Sequence, residues 1–390
     1  MGKGLEAKLL VKQIAQRPAD YVTIDVENAV TVNGLTKVPL IGVAQWGDLE
    51  YLSFAEASEK GLQILETGHV PELVVHNQTE YKVFIPAGQL FVSQEHGWQD
   101  RMSLGDILID AGYKGTIPVA CVEHGRWHQR SGAEVDRYVR RLGAVRSSGH
   151  FASTHYLVSP EPAMRALDAV EEFGTLEAGA SMGAQQDIWE KVSVETHAAD
   201  AKSPTGAFTE VYAKKTETSK FQIFEGEIGG IFLGNGTVLG MEFYNSGQAW
   251  QKFAAPVIKR YDLAVKDRSA KANNKVIGEF MVKLAKAEPK ELKHQYLGTL
   301  VSLAGAKGIT GSALVYEGTP LHFIALPSSG EKKGHGAVDF SGLGIRGRGA
   351  PRNQDIGRED ADAIMRGFIG PCVGMGPERR YGGTDGLGFE

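Results

Sequence analysis

Ile228-Gly229-Gly230-Ile231-Phe232-Leu233-Gly234-Asn235-Gly236-Thr237-Val238-Leu239-Gly240-Met241-Glu242-Phe243 decides the fold. Asn235-Gly236 sits between two apolar runs, and a two-residue type I′ turn needs positive φ at both central positions. The reading is a β-hairpin, hence an antiparallel sheet. Tyr21 to Val26 alternates as a half-buried strand does, and further strands are expected at 38–43, 72–76, 82–85 and 89–93. Pro86-Ala87-Gly88 makes the turn between the last two. Phe54, Ala57, Leu62 and Leu65 recur at helical spacing, with Gly68 as the stop. Runs at 107–109 and 117–122 read as two strands joined by a hairpin loop.

Helices are expected from Ser159-Pro160 to Phe173, over 184–197, from Ser246 through Trp250, Phe253, Val257 and Tyr261, and over 275–284. Runs at 313–316 and 321–326 close as a hairpin around Gly318. Strands and helices do not alternate regularly. The fold class is therefore α+β, with mainly antiparallel short strands packed with several helices, and a doubly wound sheet is excluded.

The chain has 390 residues, which suits one large domain or two smaller ones. We read a domain over 1–327, with 1–150 and 151–327 as an alternative division, followed by an extension at 328–390. That extension holds 16 of the 49 glycines and balanced charge, with a short helix expected near 358–368. Its Gly342-Leu343-Gly344-Ile345-Arg346-Gly347 matches G-x-G-x-x-G outside any strand–helix context, so it reads as loop glycine. A net charge of −5 argues against binding double-stranded nucleic acid through a global field. No apolar stretch approaches the ~20 residues of a membrane helix, and no signal peptide is evident, so a cytoplasmic location is expected. Cys121 and Cys372 make neither a disulfide framework nor a zinc site, and Cys121 reads as core.

Candidate chemistry gathers around the strand that ends in Glu123. A carboxylate aimed by a rigid element suits acid–base work; the bland alternative is a Glu–Arg pair closing the strand. Arg126 opens a stretch to Arg146 carrying six arginines, with Trp127 and Tyr138 interleaved. Guanidinium forks suit phosphate and aromatic faces stack bases; a solvated helix face is the plain alternative. Gln89, Gln94, Gln99, Asp100 and Arg101 form one polar series, and Gln186, Asp187 and Trp189 another at a helix start. His96, His124, His128, His150 and His155 cluster in sequence but lack H-E-x-x-H spacing, so no metal ligands are assigned.

Three segments together resemble a known family: Pro86-Ala87-Gly88-Gln89-Leu90 with Gln94, Ile117 to Trp127 with its Pro118, Cys121, Glu123, Gly125 and Arg126, and Gln186-Asp187-Ile188-Trp189. The hairpin at 228–243 and the helix at 250–263 resemble it too. The family is the ADP-ribosylglycohydrolase- and rhodanese-phosphatase-superfamily-associated protein domain, and the resemblance covers roughly 30–326. Its name implies ADP-ribose or nucleotide-phosphate metabolism; it brings motif positions and no residue roles. Glu95-His96-Gly97-Trp98 departs from its pattern as an insertion, and the extension lies outside it.

The expectation is a domain that binds or processes a small phosphorylated ligand of nucleotide or ADP-ribose type. Glu123 and Asp187 are the candidate catalytic residues, and Gln89, Gln94, Arg101, Arg126, Trp127, Gln186 and Trp189 the candidate ligand contacts. No cofactor is indicated. The alternatives are a homo-oligomeric interaction protein using the glycine-rich extension, and a metal-dependent hydrolase using the histidines.

Overall fold

The computed structural model describes residues 3–328 except 44–45, 47–48, 95–97, 124–131, 177–181, 199–205, 214–219, 270–273 and 304–307. Helix α1 (Lys3–Gln16) leads to β1 (Val22–Ile24), β2 (Val30–Val32) and β3 (Leu35–Gly42). Next come β4 (Leu52–Ser53), α2 (Phe54–Glu59), β5 (Leu62–Glu66), β6 (Glu72–Asn77), β7 (Val83–Ile85) and β8 (Leu90–Ser93). They are followed by β9 (Arg101–Ser103), β10 (Ile107–Ile109), β11 (Lys114–Cys121), α3 (Gly132–Arg141), β12 (Phe151–Ala152), α4 (Pro160–Phe173) and α5 (Met182–Ala198). The chain continues through β13 (Glu227–Gly234), β14 (Thr237–Tyr244), α6 (Gly247–Leu263) and α7 (Asn274–Leu284). It then forms β15 (Lys290–Leu292), β16 (Thr299–Ser302), β17 (Ile309–Tyr316) and β18 (Thr319–Pro327).

The fold is α+β. Among the described residues a nine-stranded sheet runs β1-β3-β13-β14-β18-β17-β16-β15, with β2 also on β3. A six-stranded sheet runs β12-β8-β9-β11-β6-β5, and a small one β10-β7-β4. Every pairing is antiparallel except that of β4 with β7.

Asn235 (φ 54) and Gly236 (φ 74) both take the left-handed conformation a type I′ turn needs, so the hairpin forms as read. Both of its strands are covered on two faces. Ile231, Leu233, Met241 and Phe243 pack with Val11 and Ile14 of α1 and Ile277 and Phe280 of α7. Phe232 and Tyr244 point the other way, into the core shared by α6 and the two smaller sheets. This alternation explains why β13 is buried along its whole length while keeping the period of two. Ser246 Oγ accepts from Ala249 N at 3.1 Å and caps α6 as expected, and β17–β18 close the predicted second hairpin.

Three expectations need correction. Leu62 and Leu65 lie in β5, not in a helix continuing from Phe54; α2 ends at Glu59, and Gly61 at φ +113 turns the chain into the strand. The 107–109 and 117–122 runs do not pair with each other: β10 pairs with β7, and β11 with β6 and β9. Pro86-Ala87-Gly88 is a turn, with Gln89 N bonded to Pro86 O at 3.1 Å, but it carries the chain between two sheets rather than closing a hairpin. β10 and β11 found partners that local patterning cannot name, whereas β5 pairs with β6, the next strand in the chain. Helix α1 is left unassigned by the sequence reading. The glycine-rich extension and its expected helix lie outside the described residues. Among those described, no helix is long and apolar enough to cross a membrane.

Candidate functional site

Where β11 ends, three other elements converge. Cys121 pairs with Arg101 across β11 and β9, and Val122 N continues the ladder to Asp100 O at 3.0 Å. Phe208 N then bonds Val122 O at 2.9 Å, and Glu123 bridges Ala207. This places Glu123, fully buried, beside the 99–101 series. Its Oε2 accepts from Asp100 N at 3.2 Å, and its carbonyl accepts from Gln99 Nε2 at 2.9 Å. The Cys121 thiol donates to Gln99 Oε1 at 3.3 Å, a core thiol in a polar seam.

Asp100 is the hub. Its carboxylate accepts from Ser93 N at 2.9 Å, from Thr209 Oγ1 at 2.6 Å and from the Tyr138 hydroxyl. Tyr138 comes from α3, whose Val135 and Val139 are buried with it while Arg137, Arg140 and Arg141 face outward. This is the amphipathic pattern of a surface helix. Arg141 pairs with Glu210 and Arg146 with Asp136. Helix α5 joins at its start: the Gln185 amide donates to Cys121 O at 2.9 Å and accepts from Cys121 N at 2.8 Å, taking the place of a strand neighbour.

The remaining candidates take varied places. Arg101 is sealed from solvent, donating to Gln99 O at 2.9 Å and pairing with Glu66 at 3.4 Å. Gln94 donates to Ser147 O and Gly149 O, and Gln89 to Leu90 O, Thr154 O and Tyr156 O, so both lace the 147–156 segment to β8. On α5, Gln186 is exposed, Asp187 is half-buried, and Trp189 is half-buried with its Nε1 inward. Arg126 and Trp127 lie outside the described residues, as do His96, His124 and His128. His150 Nδ1 accepts from Glu66 N at 3.1 Å, and its ring lies 4.4 Å from that of Trp98, while His155 is exposed. Among the described residues no group of three or more His, Cys, Asp or Glu side chains is placed to hold a metal ion.

A second constellation escaped the sequence reading. His322 on β18 bonds Asp106 through Nδ1 at 2.9 Å and Glu242 through Nε2 at 3.1 Å. Glu242 on β14 also takes Arg260 Nη1 at 3.0 Å and the Tyr261 hydroxyl at 3.1 Å, both from α6. Arg260 Nη2 reaches Ala87 O beside Gly88, where a Cβ would stand only 2.6 Å from that nitrogen. All four ionisable side chains are fully buried. Burial would raise the Glu242 carboxyl, but Arg260 and His322 outweigh it and hold it down to about 2. Burial likewise opposes charge on His322, yet Asp106 and then Glu242 raise it to about 9. With no solvent access, this network fastens the small sheets to the large one. Its one sequence signal is a polar residue inside an apolar run, Glu242 after Met241 and His322 before Phe323.

These features define an α+β domain of antiparallel sheets with a buried, carboxylate-centred polar cluster at one strand end. Residues 23–326 match the model of the ARPP-1 family, the ARG and Rhodanese-Phosphatase-superfamily-associated Protein domain, and the chain belongs to that family. Neither the curated proteins nor the solved structures yielded a match.

Proposed function

We propose that the domain binds or processes a small phosphorylated ligand of nucleotide or ADP-ribose type at the end of β11. The observation that supports this best is the meeting of two buried carboxylates, Asp100 and Glu123, in one hydrogen-bonded cluster at a strand end. Arg126 and Trp127 follow within four residues in sequence. In this reading Glu123 is the acid or base, Asp187 a second carboxylate, and Arg126 with the outward arginines of α3 the phosphate contacts. Trp127 or Trp189 stacks the base. Asp100, Tyr138 and Thr209 hold the cluster rigid rather than react. The family's ARG association is consistent with an ADP-ribose-type ligand.

Thermal shift and calorimetry on the full chain with ADP-ribose, ADP and AMP test the reading. The expected result is saturable stabilisation by at least one of them. Glu123→Gln and Arg126→Ala should lose the response to ADP-ribose, which carries no phosphate monoester, while melting, without ligand, within a few degrees of wild type. No response across the panel, or variants that change only the melting temperature, would overturn it.

A further inference from the structure

A cleft of about 330 Å³ opens between the first turns of α4, the middle of α5, the β13–β14 turn and the end of β18. It shares no lining residue with the Glu123 cluster. Its volume is at the lower end of the range for small-molecule sites. Three cations line it from three places in the chain: Arg165 on α4, Lys191 on α5 and Lys266 after α6. One carboxylate lines it, Glu161, shared by Lys266 at 3.1 Å and Lys191 at 3.7 Å. The lining thus carries a surplus of two positive charges in a chain of net charge −5.

Arg165 is the least satisfied of the three. Its nearest carboxylate oxygen, on Asp168, is 4.0 Å away, and its Nε is sealed from solvent with no acceptor among the described residues. Backbone donors contribute little: Pro160 and Pro162 remove two N–H groups from the first turn of α4, and the Ser159 hydroxyl donates to Glu195 rather than capping the helix. Recognition of an anion therefore falls to the side chains. Lys266 is set by the hairpin, since Asn235 Oδ1 accepts from Lys266 N at 2.7 Å while its Nδ2 donates to Ala264 O at 3.0 Å. Met164, Leu239 and Leu326 supply an apolar wall beside the charges.

We propose that this cleft is a binding site for a phosphate monoester with an apolar or aromatic body. The ester's near-dianionic charge matches the surplus, Arg165 supplies a forked donor, and the two lysines add point charges. The body lies on the Met164 wall. This site is independent of the one proposed at the end of β11.

Calorimetry on the full chain with phenyl phosphate and inorganic phosphate tests it. Phenyl phosphate should bind saturably and more tightly than inorganic phosphate. Arg165→Ala and Lys266→Glu should each weaken it by at least about tenfold, with Glu123→Gln binding as wild type does. Lys266 is half-exposed, so Lys266→Glu carries the test should Arg165→Ala fail to fold. No saturable binding, or binding that survives Lys266→Glu, overturns the proposal. Loss of binding in Glu123→Gln alone overturns it too, by assigning the anion to the other site. Equal affinities for the two probes overturn the apolar half of the assignment.

Discussion

Glu242 and His322 are charged residues inside strands, tolerable there because they pair with each other and with Arg260 and Asp106. A buried charge left without its partner is strongly destabilising, by about 3–5 kcal/mol. His322→Gln should therefore cost on that order near pH 6, measured by denaturant unfolding. The pH dependence follows from the raised pKa. The unfolded imidazole titrates at 6.5 and the folded one at about 9. The stability His322 contributes is complete below pH 6.5 and disappears as pH rises through about 9. The gap between wild type and His322→Gln should narrow over that window, and a gap that is flat from pH 6 to 9.5 would contradict the charged pair. The Glu242 contribution runs the other way, present above 4.5 and lost as pH falls towards about 2. Residue-scale reading from sequence caught Glu123 because it ends an apolar strand. It missed this pair because Glu242 and His322 lie 80 positions apart, and Asp106 and His322 216 apart.

At the scale of elements, the β13–β14 turn does two jobs. Asn235 and Gly236 supply positive φ, and the Asn235 side chain also ties down the chain leaving α6. Asn235→Gly keeps the first property and loses the second; Asn235→Ala loses both. Asn235→Gly should cost about 1 kcal/mol for the lost hydrogen bonds and Asn235→Ala about 1 kcal/mol more for the strained backbone. Equal losses by chemical denaturation would mean that the turn conformation is not what selects asparagine. Elements of this kind were legible: the Asn235-Gly236 turn and the one around Gly318, Ser246 at a helix start, and Pro160 at a first helical position all act within a few residues of themselves. Those misread are β5, whose apolar residues also fit helical spacing, and the pairing of β10, whose partner is β7.

For the whole molecule, the large sheet takes β1–β3 from one end of the chain and β13–β18 from the other, and β3 lies against β13. Lys37 of β3, fully buried, pairs with Glu227 of β13, and Trp250 Nε1 of α6 donates to the same carboxylate at 2.9 Å. The Asp106–His322–Glu242–Arg260 network joins the smaller sheets to this one. Residues 3–328 should therefore unfold as a unit: far-ultraviolet circular dichroism and tryptophan fluorescence should give coincident denaturation curves. Two separated transitions would show that the sheets are held less firmly than these buried pairs imply.

The sequence by itself determined the antiparallel α+β class, the hairpins, most helix starts and the family, because turns, caps and short motifs are local and carry their own geometry. It also singled out Glu123 at the end of a buried strand, and Gln99, Asp100 and Arg101 as part of a polar series. Only the tertiary structure decided what meets them. Tyr138, Thr209 and Gln185 reach the cluster from α3, from a short turn of helix at Phe208–Ala213 and from α5. Only it showed the Arg165 cleft, whose cations come from separate elements. Strand pairing and burial depend on long-range contacts, and no single stretch of chain contains the information about which distant polar group will satisfy a buried one.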